Sequence, residues 1–480
     1  MVKNYFYNLL LTLANLLFPI LSFPYVSRVL GPEGIGKVQF VFSFAQYFAL
    51  IAGIGIPIYG MKEIARYKND REGRSRVFSE LMLIYVLTSI SMGVLYVATI
   101  YTFPYFNGNR GMYLSALLLV LLGCSYIEWV YIGMEEFKSI ALRSVMFKLI
   151  GLVLMFLFIK TSGDYKLYLY LLMFSFLGNN ILSHFLLRGK VQFMFRGLEV
   201  RKHIKPLLFI FGTTIATSIY TDADTVLLGF LSNSKTVGLY TAAVKLSKIS
   251  IPIVTSMGVI LIPKIAKDFA DKNMDGVQHS LNQTFRFIVF LGVPIVFGLA
   301  LLAPEFIGLF SGKDFMGATN SMRLLSILPL VIGFANLLLF MILVPSGKNR
   351  EMFLCVMGGL VTCVVLDFLL IPALQQIGSS IANISSEIIV TLLYFYVINR
   401  HFSFTYKWSL LGKAIISALI FIPLIWLVKE ISMPLIYRVV ISVSGCAMAY
   451  AIIQLFLFKN DFIFDIVAVV KMKLNKTGEV

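Results

Sequence analysis

Charged side chains set inside long apolar stretches are the residues of this sequence whose type and place could do chemistry. Lys148, Asp222, Asp224, Lys245, Lys248, Asp367 and Glu387 each interrupt a run of aliphatic and aromatic residues, and Arg28 and Arg143 stand at the ends of two such runs. A charge at the centre of a bilayer costs about 3 kcal/mol on insertion scales, so its presence points to a function or to a paired charge. Lys245 and Lys248 are three apart and share one helix face. An ammonium in a low-dielectric cavity binds phosphate as a point charge. Arg28, Lys148, Lys245 and Lys248 are therefore candidate ligands for an anionic cargo. Asp222, Asp224 and Asp367 are candidates either to pair with those cations or to hold a coupling cation. Asp222 and Asp224 are two apart, so on a helix they point to different sides. Asp224 and Lys245 both fall about 10 Å below one membrane surface at the rise of a helix. They lie on consecutive antiparallel spans, where they could meet. The competing reading makes all these charges structural ion pairs, with Arg28 snorkelling to the interface.

Other chemistries find less support. Cys124, Cys355, Cys363 and Cys446 lie in apolar segments with no CxxC and no zinc spacing, and read as small packing residues. His184, His203, His279 and His401 are scattered near segment ends, so no metal site is expected. Asp222-Ala223-Asp224 spells the D-x-D of some sugar transferases, but it falls inside a span and not in an exposed loop. No Walker A motif is present, so ATP is not this chain's energy source. Gly34-Ile35-Gly36 and Gly53-Ile54-Gly55 fit close helix packing better than phosphate binding. Trp129 and the tyrosines near span ends read as an interfacial aromatic belt.

The elements that must position these charges follow from composition. Of 480 residues, 59% are hydrophobic and 14% charged, and the mean hydropathy is +0.86. A soluble domain carries about 25% charged residues. Too few charges exist here to cover soluble surfaces, and a bilayer removes that need. With about 20 apolar residues needed per crossing, the pattern predicts an all-α integral membrane protein of about fourteen spans. Seven fall near 5–30, 38–60, 79–103, 112–134, 139–160, 165–187 and 206–231. Seven more fall near 238–262, 283–307, 321–345, 351–373, 377–398, 409–428 and 434–458. The tail 459–480 alternates apolar and charged residues and reads as an interfacial amphipathic helix. Of the 41 basic residues, about 28 fall on one side of this pattern and about 10 on the other, which places both termini in the cytoplasm. The net charge of +17 thus reflects topology, and no basic soluble domain exists to bind nucleic acid.

The chain also repeats itself. Val29-Leu30-Gly31-Pro32-Glu33-Gly34-Ile35-Gly36 and Leu227-Leu228-Gly229 through Val237-Gly238-Leu239-Tyr240 share a Leu-Gly, a polar turn and a hydrophobic-Gly pair. Lys62-Glu63-Ile64-Ala65-Arg66 echoes Pro263-Lys264-Ile265-Ala266-Lys267 at a similar offset. Six spans separate the copies, so the repeats are parallel, an arrangement found in transporters.

Three stretches carry a resemblance. They are Ser22 to Gly36, ending in Arg28-Val29-Leu30-Gly31-Pro32-Glu33-Gly34-Ile35-Gly36; Glu128 to Lys138, with Ile140 and Arg143 following in a W-x-x-x-G-x-E-x-F-K-x-I-x-x-R order; and Asp222 to Tyr240. Together they resemble polysaccharide flippases of the O-antigen (Wzx) type in the MATE-like superfamily and, more distantly, MurJ-type lipid II flippases. The likeness covers residues 1 to about 400. It implies two parallel six-helix lobes, 1–200 and 201–400, around a central cavity, with two further helices at 401–458. It also implies an undecaprenyl-diphosphate-linked oligosaccharide, flipped across the bacterial inner membrane by alternating access without a cofactor. A coupling ion would be Na+ or H+. Membrane lipids and other polysaccharide-assembly membrane proteins are the candidate partners. A cation-coupled multidrug exporter of the same fold is the nearest rival. A polytopic glycosyltransferase or polymerase is the next, weakened by the absence of a long loop between spans.

Overall fold

The computed structural model describes residues 2–458, with the side chains of 2–5, 8 and 220–222 outside the description. The amphipathic tail expected beyond 458 lies outside the described residues, as does the side chain of Asp222. The described chain divides into two compact units, 1–241 and 242–480, of which the second is described to 458.

Helices account for the first unit: α1 (Val2–Gly53), α2 (Ile56–Arg66), α3 (Arg71–Thr102), α4 (Arg110–Leu121), α5 (Glu128–Gly133), α6 (Phe137–Phe158), α7 (Tyr165–Leu186), α8 (Arg201–Asp222) and α9 (Asp224–Leu231). The helix α10 (Ser234–Ile249) crosses the boundary. The second unit holds α11 (Ile251–Ala270), α12 (Met274–Leu301), α13 (Ala303–Phe310), α14 (Thr319–Leu325), α15 (Leu328–Leu338), α16 (Asn349–Leu374) and α17 (Gln376–His401). It ends with α18 (Ser409–Ala418), α19 (Phe421–Glu430) and α20 (Leu435–Ile452).

Twelve of the described helices or helix runs are long and apolar enough to cross a membrane, or thirteen if the bent pair Arg201–Ile219 and Asp224–Leu231 is one span. The fourteenth expected span is inside α1. Its apolar run Leu9–Gly53 has 45 residues, or roughly 67 Å of helix, against a hydrocarbon core of about 30 Å. Gly31, at φ +66°, ψ 176°, breaks it. Counted as two halves, α1 supplies the first two expected spans. The turn expected at Gly31-Pro32-Glu33-Gly34 is thus a single non-helical residue between helices, because Pro32 is pre-set for a first helical turn.

The burial pattern is that of a helix in lipid. In α6, Leu142, Met146, Leu149, Val153 and Leu157 form one exposed apolar stripe. Arg143, Ser144 and Gly151 of the same helix face the protein interior. Local caps set the ends of elements elsewhere. The Asp70 side chain accepts from the backbone of Glu72 at 3.0 Å and Gly73 at 3.1 Å to start α3, and Asn273 accepts from Gly276 at 3.1 Å to start α12.

Candidate functional site

The two cations placed in the first unit hold local partners. Arg28 is exposed and its guanidinium donates to the Pro24 carbonyl, one turn back, at 2.5 Å. Lys148 is half-buried in α6 and its ammonium donates to Asn15 Oδ1 of α1. Asp224 opens α9 just past the 57° bend that follows α8. It is buried and accepts from the Tyr240 hydroxyl at 2.5 Å. The D-x-D therefore sits at the bend between α8 and α9.

In the second unit, Lys245 and Lys248 are half-buried on one face of α10. Asp367 is fully buried in α16, with the Cys363 thiol 3.6 Å from its Oδ2. Glu387 is buried in α17, on the same helix as buried Ser379, Ser380, Asn383 and Ser386. Asp224 and Lys245 fall in different units.

Two polar clusters in the first unit are brought together only by the fold, although the sequence singles out Arg143 of the second. The first joins α2, α3 and α8. Glu80 is wholly buried on α3, and its Oε2 lies 2.7 Å from His203 Nε2 and 3.2 Å from the Lys202 ammonium. Its Oε1 accepts from the Glu199 backbone at 2.7 Å. The Tyr59 hydroxyl meets His203 Nδ1 at 2.9 Å, so both ring nitrogens of a buried histidine are engaged. Ser75 and Ser79, one turn apart on α3, accept from the backbone of Gln192 at 3.0 Å and Met194 at 2.8 Å. The chain between α7 and α8 is thereby pinned along α3. Glu80 opens the third apolar run, and that was its only signal in the sequence.

The second cluster gathers the W-x-x-x-G-x-E-x-F-K-x-I-x-x-R stretch. Arg143 Nε donates to Asn179 Oδ1 at 2.9 Å, and its guanidinium lies 3.7 Å from Glu128 Oε1 and 5.0 Å from the centre of the Tyr131 ring. Asn179 in turn donates to Glu128 at 3.2 Å. Arg143 and Lys138 border an open cavity of about 620 Å³ beside the Lys190–Glu136 ion pair. On the neighbouring loop, the Lys68 ammonium 2.8 Å from Glu135 holds that carboxyl below its usual range. Trp129, expected in the interfacial belt, is buried instead, with its ring against α2. Gly60 has no side chain there, and a Cβ on it would come within 2.5 Å of the indole.

The glycine pairs separate into two roles. Gly36 and Gly238 occupy equivalent places in the two copies of the repeat, and the structure presses them together. A Cβ on Gly36 would fall 1.6 Å from the Ser234 carbonyl oxygen and 2.8 Å from the Gly238 nitrogen. A Cβ on Gly238 would fall 1.9 Å from the Pro32 carbonyl oxygen. Each copy touches the other through the same residues, which is the geometry of a local two-fold contact. Gly53-Ile54-Gly55 instead breaks a span: Ile54 takes φ +41° and Gly55 φ +81° between α1 and α2.

Residues 1–269 match the family model described as polysaccharide biosynthesis protein. A Shigella dysenteriae protein named "Putative O-antigen transporter" is 24% identical over 405 residues, covering 82% of this chain and 98% of that protein. Among solved structures, a lipid II flippase MurJ in an inward closed conformation aligns with TM-score 0.72 at 16% identity, covering 96% of this chain and 99% of that one. An inward-facing multidrug resistance MATE family transporter of the MOP superfamily aligns with TM-score 0.65 at 18% identity, over 80% of this chain and 94% of that one.

Proposed function

This chain belongs to the polysaccharide biosynthesis protein family, and from that premise we propose that it is a flippase for a lipid-linked oligosaccharide. Its cargo is an undecaprenyl-diphosphate-linked glycan, carried from the cytoplasmic to the outer face of the bacterial inner membrane by alternating access. The observation that carries this reading is the near end-to-end likeness to a protein named for O-antigen transport. The solved flippase and drug-transporter structures share the fold with this chain and do not by themselves choose a cargo. Cations placed within apolar spans favour an anionic one. On this reading Arg28, Lys148, Lys245 and Lys248 hold the diphosphate. Asp224 and Asp367, with Asp222, hold a coupling cation, Na+ or H+. Both termini and the two most basic loops face the cytoplasm.

A deletion strain tests the function. Loss of the gene should remove the surface glycan and leave lipid-linked precursor on the inner leaflet, with both defects repaired by the intact chain. Unchanged surface glycan together with hypersensitivity to cationic drugs would instead identify the drug exporter.

A further inference from the structure

Two interruptions of helix line one cavity inside the first unit. The first break is Ile54–Gly55, between α1 and α2. The second is the interval between α4 and α5, where residues 122–125 wind into a tighter 3₁₀ turn and Tyr126 is extended at φ −73°, ψ 90°. Non-helical backbone in a membrane protein is tolerated where it is buried in protein or lines a cavity. Interrupted spans are also where transporters build substrate sites. Gly53 and Gly55 from one break, and Gly123 and Tyr126 from the other, line a cavity of about 320 Å³. That volume is at the small end of ligand sites, about 300–1,000 Å³.

The lining chooses the ligand. No lining residue is charged, so neither a phosphate nor a divalent cation is matched. Most of the wall is apolar, from Ala49, Leu50, Pro57, Ile58 and the Phe176 ring, and its polar groups are the Gln46 amide and the hydroxyls of Tyr85, Tyr126 and Thr214. Neutral donors and acceptors beside aromatic faces suit a ring that carries hydroxyls on its edge and C–H groups on its faces. The Tyr126 hydroxyl lies 3.5 Å from Glu128 Oε2, and Glu128 is held by Asn179 at 3.2 Å, itself bonded to buried Arg143 at 2.9 Å. That chain places a carboxylate beside the tyrosine hydroxyl at the long limit of a hydrogen bond.

We propose that this cavity is a sugar subsite that takes a single ring of the glycan, an assignment that rests on the lipid-linked oligosaccharide reading above. Charge recognition of the diphosphate is assigned elsewhere, to the cations, so this neutral pocket reads the sugar and sets which glycan is accepted.

The test uses the purified full chain in detergent and native mass spectrometry. The probes are undecaprenyl diphosphate and the same lipid bearing glucose, galactose or N-acetylglucosamine. The native chain should bind at least one sugar-bearing lipid more tightly than the sugar-free lipid. Gln46→Ala with Thr214→Val should weaken that preferred lipid about tenfold, the worth of two hydrogen bonds, and leave the sugar-free lipid's affinity in place. Ala49→Trp, which fills the cavity, should do the same; size exclusion and thermal unfolding verify that each variant is folded. Equal affinity of the native chain for all four lipids, or equal losses for sugar-bearing and sugar-free lipids in the variants, overturns the sugar site alone. Binding of none of the lipids overturns the cargo reading and the site with it.

Discussion

Glu80 shows how much a single buried carboxylate can organise. It engages His203, Lys202 and the Glu199 backbone from inside the protein, and its loss would strand a buried histidine. Breaking a buried pair by removing one partner costs about 3–5 kcal/mol. Glu80→Ala is therefore expected to lower the thermal unfolding temperature of the solubilised protein sharply. Lys202→Ala should cost under about 1 kcal/mol, because Lys202 is 43% exposed and water screens its pair. Equal shifts for the two variants would show that the cluster is not held through His203. The lysines in the spans make a different prediction. Lys148→Ala, Lys245→Ala and Lys248→Ala should each abolish glycan export while the protein accumulates at its normal level in the membrane. A fall in abundance without a specific transport defect would assign them to structure. Lys148→Arg keeps a donor for Asn15 and should retain part of the export that Lys148→Ala loses.

Between elements, the tightest approach is at the equivalent glycines of the repeat. The atoms a Cβ on Gly36 or Gly238 would meet belong to backbone, which cannot swing aside. Overpacking of this kind costs about 1–3 kcal/mol. Gly36→Ala and Gly238→Ala are expected to lower the unfolding temperature or to part the second half of α1 from α10. Gly108→Ala, with no atom within 4 Å of its built Cβ, should leave both unchanged. Unfolding curves, together with disulfide trapping of a cysteine pair placed at Glu33 and Lys235, would read both effects. If Gly36→Ala and Gly108→Ala behave alike, the close approach is not part of the protein in the membrane.

For the molecule as a whole, topology is the property most open to a direct check. Basic residues crowd the segments Lys62 to Arg76 and Arg188 to Lys205, and under the proposed orientation the positive-inside rule is expected to set both in the cytoplasm. A cysteine at Lys68 or Arg196 should react with a membrane-impermeant maleimide only after the cells are opened. Labelling of intact cells at either position would invert the assigned orientation.

Class and rhythm were legible in the linear chain because a bilayer imposes them residue by residue. Each crossing needs its own apolar run, so among the described residues twelve runs long and apolar enough to cross fall where the hydropathy put them, thirteen with the bent pair, and the count reaches fourteen only if Gly31 divides α1 into two. The likeness of Gly36 to Gly238 was readable for the same reason, a repeat being a property of order, whereas Gly31 breaks a helix and Gly229 lies within one. What the order of residues could not reveal was which side chains meet. Trp129 looks like a belt residue until Gly60 is folded against it, and Glu80 and His203 are 123 positions apart in the chain. Gly53-Ile54-Gly55 and Gly34-Ile35-Gly36 read alike as strings, yet one breaks a helix beside a cavity and the other lets two backbones touch. Hydropathy is a sum over neighbours in sequence, whereas a pairing or a cavity depends on neighbours in space, and only the tertiary structure supplies those.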